Sequence, residues 1–276
     1  MYYMPFFYDP YFWMIILGVA ISGWASMNVN STFNRYDQVR NQGNYTGKAA
    51  ARYILDQAGL YEVEIREVAG KLTDNYNPTN KVLSLSQSVY NSSSIAAVGV
   101  AAHEVGHALQ DASDYAPMRI RSALVPIVSL GSNLSMPLIL LGLVLGMNQT
   151  LIKIGIWCFA LVLLFQVVTL PVEFNASHRD LRMLNNGAIL SPQEMPMARK
   201  VLFAAALTYV AAVLTSMLQL FRLLLIFGGI IFNINCFLSL FDVFKKSFKL
   251  LFAISIKTNF VVFRKGGIVF KVKVIN

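Results

Sequence analysis

The chain predicts an α-helical multi-pass membrane protein that also carries a small α+β module facing water. Three observations predict it. Of 276 residues, 56% are apolar and only 13% charged, a balance far outside that of soluble domains. Four stretches with little or no charge, at residues 11–27, 124–147, 151–170 and 201–227, approach the roughly 20 residues that a helix needs to cross a hydrocarbon core. Between the first and second of them, the chain mixes polar and apolar positions with the periods of helix and strand.

The first stretch opens Tyr11-Phe12-Trp13 behind an aromatic cluster of Tyr2, Tyr3, Phe6, Phe7 and Tyr8. With no basic residue before it and no small-residue cleavage site after it, it predicts an uncleaved span rather than a removed signal peptide. Thr46 can cap a helix over 47–58, and Gly59 suits the position just past its end. Tyr61, Val63 and Ile65 alternate with Glu62, Glu64 and Arg66, the period of a half-buried strand. The stretch Asp74-Asn75-Tyr76-Asn77-Pro78-Thr79-Asn80 is dense in turn formers, so Val82-Leu83-Ser84-Leu85-Ser86 is expected to pair back as the second arm of a hairpin. Ser92-Ser93-Ser94 then caps a helix running from Ile95 into residues 103–107, apolar all round in its upstream half and hence buried. Only residues 148–150 separate the next two apolar stretches, which predicts a helical hairpin whose first arm is interrupted by Pro126 and Pro137. Beyond the last apolar stretch the composition turns to Ile, Phe, Lys and Asn, with no clean helical period after Lys245.

A formal charge of +9 raises nucleic acid as a partner. Beyond residue 229, however, stand 8 Lys and Arg against 1 acid, which leaves 15 against 13 upstream. The surplus belongs to the tail, where a basic segment beside an apolar one contacts anionic headgroups at roughly 1 kcal/mol per residue, and no basic groove with interleaved aromatics accompanies it. The expected partner is the lipid bilayer, not nucleic acid. No Lys or Arg precedes the first span, whereas residues 28–123 carry nine and residues 171–200 carry four. The positive-inside rule then places both regions in the cytoplasm and the N-terminus outside. A small-solute transporter is disfavoured, since the first three spans hold no charge except Lys153 near an end. Cys158 and Cys236 sit in apolar stretches without ligand spacing and read as packing residues.

Within the helix that follows Ser94, His103-Glu104-Val105-Gly106-His107 forms the HExxH pattern. Residues i and i+4 share a helix face, so both imidazoles can reach one Zn²⁺ at about 2.0–2.1 Å. Glu104 is then placed to take the proton of an attacking water as general base. The flanking run Val-Ala-Ala before the motif and Ala-Leu after it is uncharged, as a helix buried around an ion would be.

A catalytic site takes three protein ligands, and the motif lacks the downstream HxxGxxH continuation, so a distant carboxylate is expected. Glu173 is the candidate. It follows the third span, which the hairpin returns to the side of the motif, and an unpaired carboxylate there costs several kcal/mol unless compensated. The bland alternative pairs Glu173 with Arg179 or Arg182. His178 is the runner-up ligand, but five residues on it points away from the Glu173 face. Asn175 and Ser177 can orient the ligands by hydrogen bonds. Strand 82–86 offers an edge to which an extended substrate can add.

The strings Gly70-Lys71-Leu72-Thr73-Asp74, the run from Ser94 to Glu104, Tyr115-Ala116-Pro117 and the run from Thr169 to Ser177 resemble the YugP-type neutral membrane zinc metallopeptidases of bacteria. The resemblance covers the chain to about Phe227. It implies a peptidase of the cell membrane, using one Zn²⁺ per chain held by His103, His107 and Glu173, with Glu104 catalytic and a protein or peptide as substrate. The expected fold class is then an α-helical multi-pass membrane protein with a small α+β cytoplasmic zincin-like module carrying the HExxH helix. Its expected segments are an N-terminal span at 1–27, the catalytic module at 28–123, a transmembrane hairpin at 124–170, a cytoplasmic loop with the third-ligand candidate at 171–200, a fourth span at 201–229 and an atypical basic tail at 230–276. The family's pattern stops near the fourth span, so the tail is expected to be an unrelated extension. The competing function is a non-enzymatic membrane chaperone or assembly factor with a structural or absent metal, against which an intact Glu104 weighs.

Overall fold

A computed structural model of the chain describes residues 9–231, together with two short paired strands at Val262–Arg264 and Gly267–Val269. The rest of the expected tail lies outside the described residues. In chain order the elements are α1 (Phe12–Asp37), α2 (Gly47–Gln57), β1 (Glu64–Val68), β2 (Asn75–Asn77), β3 (Val82–Ser86), α3 (Gln87–Tyr90), α4 (Ile95–Ala112), α5 (Ala116–Val144), α6 (Gln149–Asn186) and α7 (Met195–Ile231). The chain is thus mostly helical with a small three-stranded sheet, and α1, α5, α6 and α7 are long and apolar enough to cross a membrane.

Each of these four helices outruns its apolar stretch. Hydropathy marks where side chains turn polar, whereas the backbone ladder continues until a breaker or a cap stops it. Pro126 and Pro137 do not interrupt α5, and α6 runs through Pro171. A proline removes one N–H, a loss that a long apolar helix held by its neighbours absorbs.

The described residues form two compact units. The first takes residues 9–26, Ile120–Leu170 and residues 208–231. Its core joins Ile139 of α5, Ile152, Ile156, Leu163 and Val167 of α6, and Val213, Leu220 and Leu223 of α7. Ser135 donates to the Gly155 carbonyl at 3.0 Å, and Thr215 of α7 meets both the Gly18 carbonyl (3.1 Å) and the Ser22 hydroxyl (2.9 Å) of α1. Arg222 donates to Asp9 at 2.6 Å. The α5–α6 link is closed by Asn148, whose Oδ1 accepts from the backbone N–H groups of Thr150 and Leu151 and so caps α6. Trp13, Val19, Trp24, Leu130, Val144 and Trp157 point outward, as side chains facing acyl chains do.

The second unit takes Met27–Arg119 and Pro171–Leu207. Thr46 Oγ1 accepts from Ala49 N at 3.1 Å to start α2, and Gly59 past its end sits at φ +75°. Ser94 Oγ accepts from Ala97 N at 3.0 Å to start α4 and donates to Asp37 of α1 at 2.7 Å. Ala50, Ala51, Ile54 and Leu55 of α2, Leu83 and Leu85 of β3, and the wholly buried run Ile95-Ala96-Ala97-Val98 of α4 form one core, joined by Leu184 of α6.

The sheet differs from the expected hairpin. Its order is β1-β3-β2, with β1 parallel and β2 antiparallel to β3. β1 begins at Glu64, and Tyr61 is 73% exposed. Alternation reports which face a side chain takes and is silent on strand direction. Of the turn-forming stretch, only the residues after Asn77 turn; Asn75, Tyr76 and Asn77 extend, held by the Tyr76 hydroxyl on Asp111 of α4 at 2.9 Å. β3 is therefore central. β1 and β2 occupy its two sides, and just before β2 begins Asp74 Oδ1 accepts from Ser86 N at 2.7 Å. That leaves no edge of β3 for the expected substrate strand.

Candidate metal centre

Four residues apart on α4, His103 and His107 present their rings to the same side, with centroids 4.8 Å apart and planes at 77°. α6 delivers Glu173 to them. Its side chain is buried, and Oε2 lies 3.2 Å from His103 Nε2 and 3.7 Å from His107 Nε2. One donor atom from each of the three residues lies within 4.8 Å of the others. Bonds of about 2.0–2.2 Å place neighbouring ligands of a tetrahedral ion about 3.3–3.5 Å apart, which the two carboxylate–imidazole separations bracket.

A second observation bears on the fit. Glu173 Oε1 is buried and has no hydrogen-bond partner among the described residues. Such an oxygen costs about 1–3 kcal/mol or more in a charged group, a penalty that a cation between the imidazoles and the carboxylate would offset. Two imidazoles and one carboxylate are a donor set that suits Zn²⁺ and leaves one position open.

Residues behind the three donors aim them. His103 Nδ1 lies 2.9 Å from Asp180 Oδ2, and His107 Nδ1 lies 3.0 Å from Gln110 Oε1. An acceptor at each Nδ1 fixes the proton there and turns the Nε2 lone pair towards Glu173. Gln110, fully buried, donates through Nε2 to the Val172 carbonyl (2.7 Å) and to Asn175 Oδ1 (3.1 Å). Arg179 donates to the same Asn175 oxygen and on to the Leu109 carbonyl of α4 and to Ser113 just past its end. Arg179 is thus engaged with Asn175, and Glu173 turns to the histidines. His178 stands exposed, off this face.

Glu104, 9% exposed, shares α4 with the two histidines. Burial pushes its carboxyl pKa up, against a smaller downward pull from His107 and His103. Burial lowers the His103 pKa, but its bonds to Asp180 and Glu173 outweigh this and hold it well above the ordinary histidine range. The carboxylates beside His103 favour positive charge there, and the same negative charge would receive a divalent cation.

Sequence reasoning reached His103, Glu104, His107, Glu173 and Asn175 but missed Asp180 and Gln110. Both carry a helical signal. Asp180 stands two turns after Glu173, and Gln110 one turn after His107. At Gly106, between the two histidines, a Cβ would overlap Asp180.

A family model described as "Putative neutral zinc metallopeptidase" matches residues 11–228 of this chain. A Bacillus subtilis protein named "Putative membrane protease YugP" is 42% identical over 217 residues, which cover 79% of this chain and 96% of that protein. No solved structure matches the chain.

Proposed function

Because the chain belongs to the neutral zinc metallopeptidase family, we propose that it is a membrane-embedded, zinc-dependent peptidase in which His103, His107 and Glu173 hold one ion and Glu104 is the general base. The observation that carries this reading is the placement of the Glu173 carboxylate between two imidazoles, with one oxygen buried and unpartnered. Zinc bound there would polarise a peptide carbonyl and lower the pKa of an attacking water towards about 7.

The chain's own groups supply the rest. Glu104 accepts the proton of the water as its oxygen adds to the carbonyl carbon, then passes that proton to the amide nitrogen as the C–N bond breaks. The second proton of the water follows to the same nitrogen, so a carboxylate and an ammonium group leave. Burial raises the proton affinity of Glu104, which suits a base that must both take and return a proton near neutral pH. Asp180 and Gln110 keep the imidazoles in one tautomer and orientation. The cytoplasm is the proposed side of this zincin-like module, supported by the nine Lys and Arg of residues 28–123 and the four of residues 171–200.

Metal content by plasma mass spectrometry, beside casein cleavage, tests the proposal on detergent-purified wild type, Glu104→Gln and Glu173→Ala. The wild type is expected to hold one zinc and cleave, Glu104→Gln to hold zinc without cleaving, and Glu173→Ala to lose the metal. A wild type that takes up no zinc under replete conditions overturns it.

A further inference from the structure

The metal cluster is tied by short lengths of chain to the end of an apolar stretch. Glu173 follows Leu170 by three residues, a distance of about 4.5 Å along a helix and at most about 11 Å for any conformation. Leu170 is the last residue of the third apolar stretch, and the uncharged run of α6 continues only to Val172, directly before Glu173. The position of Glu173 near the end of a candidate span therefore holds however the surrounding elements pack.

α1 gives an independent reference. Residues 10–34 carry no charge, and Phe33 and Asn34 at the end of that run hold the loop between β1 and β2. Lys71 Nζ donates to Asn34 Oδ1 at 2.6 Å and lies 5.3 Å over the Phe33 ring. So anchored, the loop presents Leu72, which is 37% exposed and held at φ +56° beside Gly70 at φ +106°. A leucine in the left-handed region costs on the order of 1 kcal/mol, and an exposed one recovers little of that from the protein's own core. Just past this loop, the Tyr76 hydroxyl donates at 2.9 Å to Asp111 of α4, four residues after His107. The loop that displays Leu72 is thus tied to the helix that carries the site. Phe174, next to Glu173, and Phe203 of α7 are also exposed.

From this arrangement we propose that the cluster works at the bilayer surface, with Leu72, Phe174 and Phe203 meeting lipid, and that its substrates are membrane-anchored polypeptides cut within a few residues of where they leave the hydrocarbon. The proposal rests on the peptidase reading above. Inside the hydrocarbon every peptide group is tied into helical hydrogen bonds, so the first extended peptide bonds of a membrane protein occur at its boundary. A site a few ångströms from that boundary meets those bonds first. Anchoring also confines substrate to the depth of the site, which raises its effective concentration.

Two measurements on the full chain in phosphatidylcholine–phosphatidylglycerol vesicles test this. A nitroxide is attached at Leu72→Cys after Cys158→Ser and Cys236→Ser, and its collisions with oxygen are compared with those with a water-soluble nickel chelate. In parallel, the zinc-loaded protein without the label receives one casein peptide fused to a polyleucine span, either directly or behind a flexible spacer of about 25 residues, with Glu104→Gln as the blank. The expected results are a label that prefers oxygen and direct fusions cut at least about tenfold faster than spaced ones. A label that prefers the nickel chelate, or equal rates for the two fusions, overturns the proposal. A protein that binds zinc and cuts neither fusion overturns the peptidase reading itself, so the two failures are told apart.

Discussion

Replacing Gly106 with alanine puts a methyl group where Asp180 already stands. A Cβ built at Gly106 overlaps Asp180 Oδ1, lies 3.0 Å from its Cγ and 3.2 Å from the Ala176 carbonyl. The Asp180 side chain is fully buried and has no solvent to swing into. Either α4 and α6 separate or the 2.9 Å bond between Asp180 and His103 breaks. Overpacking of this kind costs about 1–3 kcal/mol, while alanine is favoured over glycine in a helix interior by about 1 kcal/mol, so folding stability is expected to fall by about 0–2 kcal/mol. Loss of an orienting partner lowers metal affinity about 10–100-fold. Gly99, two turns earlier on the same helix, is the control. The nearest atom to its added Cβ is Ala198 Cβ at 3.9 Å, an ordinary contact, so Gly99→Ala is expected to gain about 0.5–1 kcal/mol. Thermal unfolding in detergent, with zinc affinity from competition against a chromophoric chelator, separates the two effects. A Gly106→Ala protein with unchanged zinc affinity and a Tm raised like that of Gly99→Ala would refute the packing of Asp180 against α4.

Three further outcomes follow from the same contacts. The folded-state pKa of His103 is raised, so in zinc-free protein it contributes stability that is fully present below the unfolded histidine pKa and lost as pH rises through the folded pKa. Zinc needs the neutral imidazole, so the rise in Tm on adding zinc should grow as pH rises towards that raised pKa, and a pH-independent rise would contradict the assignment. Gln110→Ala strips His107 of its Nδ1 partner and leaves the buried Asn175 oxygen and Val172 carbonyl short of a donor; a loss of about 1–3 kcal/mol in stability is expected by chemical denaturation, together with weaker zinc binding. Ser94→Ala removes the α4 cap and the bond to Asp37, for a cost of about 1 kcal/mol with zinc stoichiometry unchanged in the folded protein.

Some of this architecture is written in local chemistry and some is not. A spacing of four on a helix brings His103 and His107 together whatever else the chain does, and a carboxylate placed just after an apolar run asks for a partner, which is why Glu173 drew attention. Asp180 did not, because Ser177-His178-Arg179-Asp180 has the composition of a solvated helix end. Only the continuation of α6 past its apolar part shows that Asp180 returns to the Glu173 face two turns on. The sheet was misjudged for a related reason. Turn-forming side chains at Asn75 and Asn77 are compatible with a three-residue exposed strand, and it is Tyr76 reaching Asp111 on α4, a contact 35 residues away, that selects the extended form. The helix caps at Thr46 and Ser94 were legible because a cap involves only residues within one turn.

The donors come from two places separated in synthesis. Asp180 and Glu173 lie 77 and 70 residues after His103, and both arms of the α5–α6 hairpin are made in between. A nascent chain therefore exposes its two imidazoles long before the carboxylates that complete the cluster exist. Chains halted or truncated within the hairpin carry half a site, and on the proposed peptidase reading catalytic capacity arrives only once the polypeptide has been made through its third long helix.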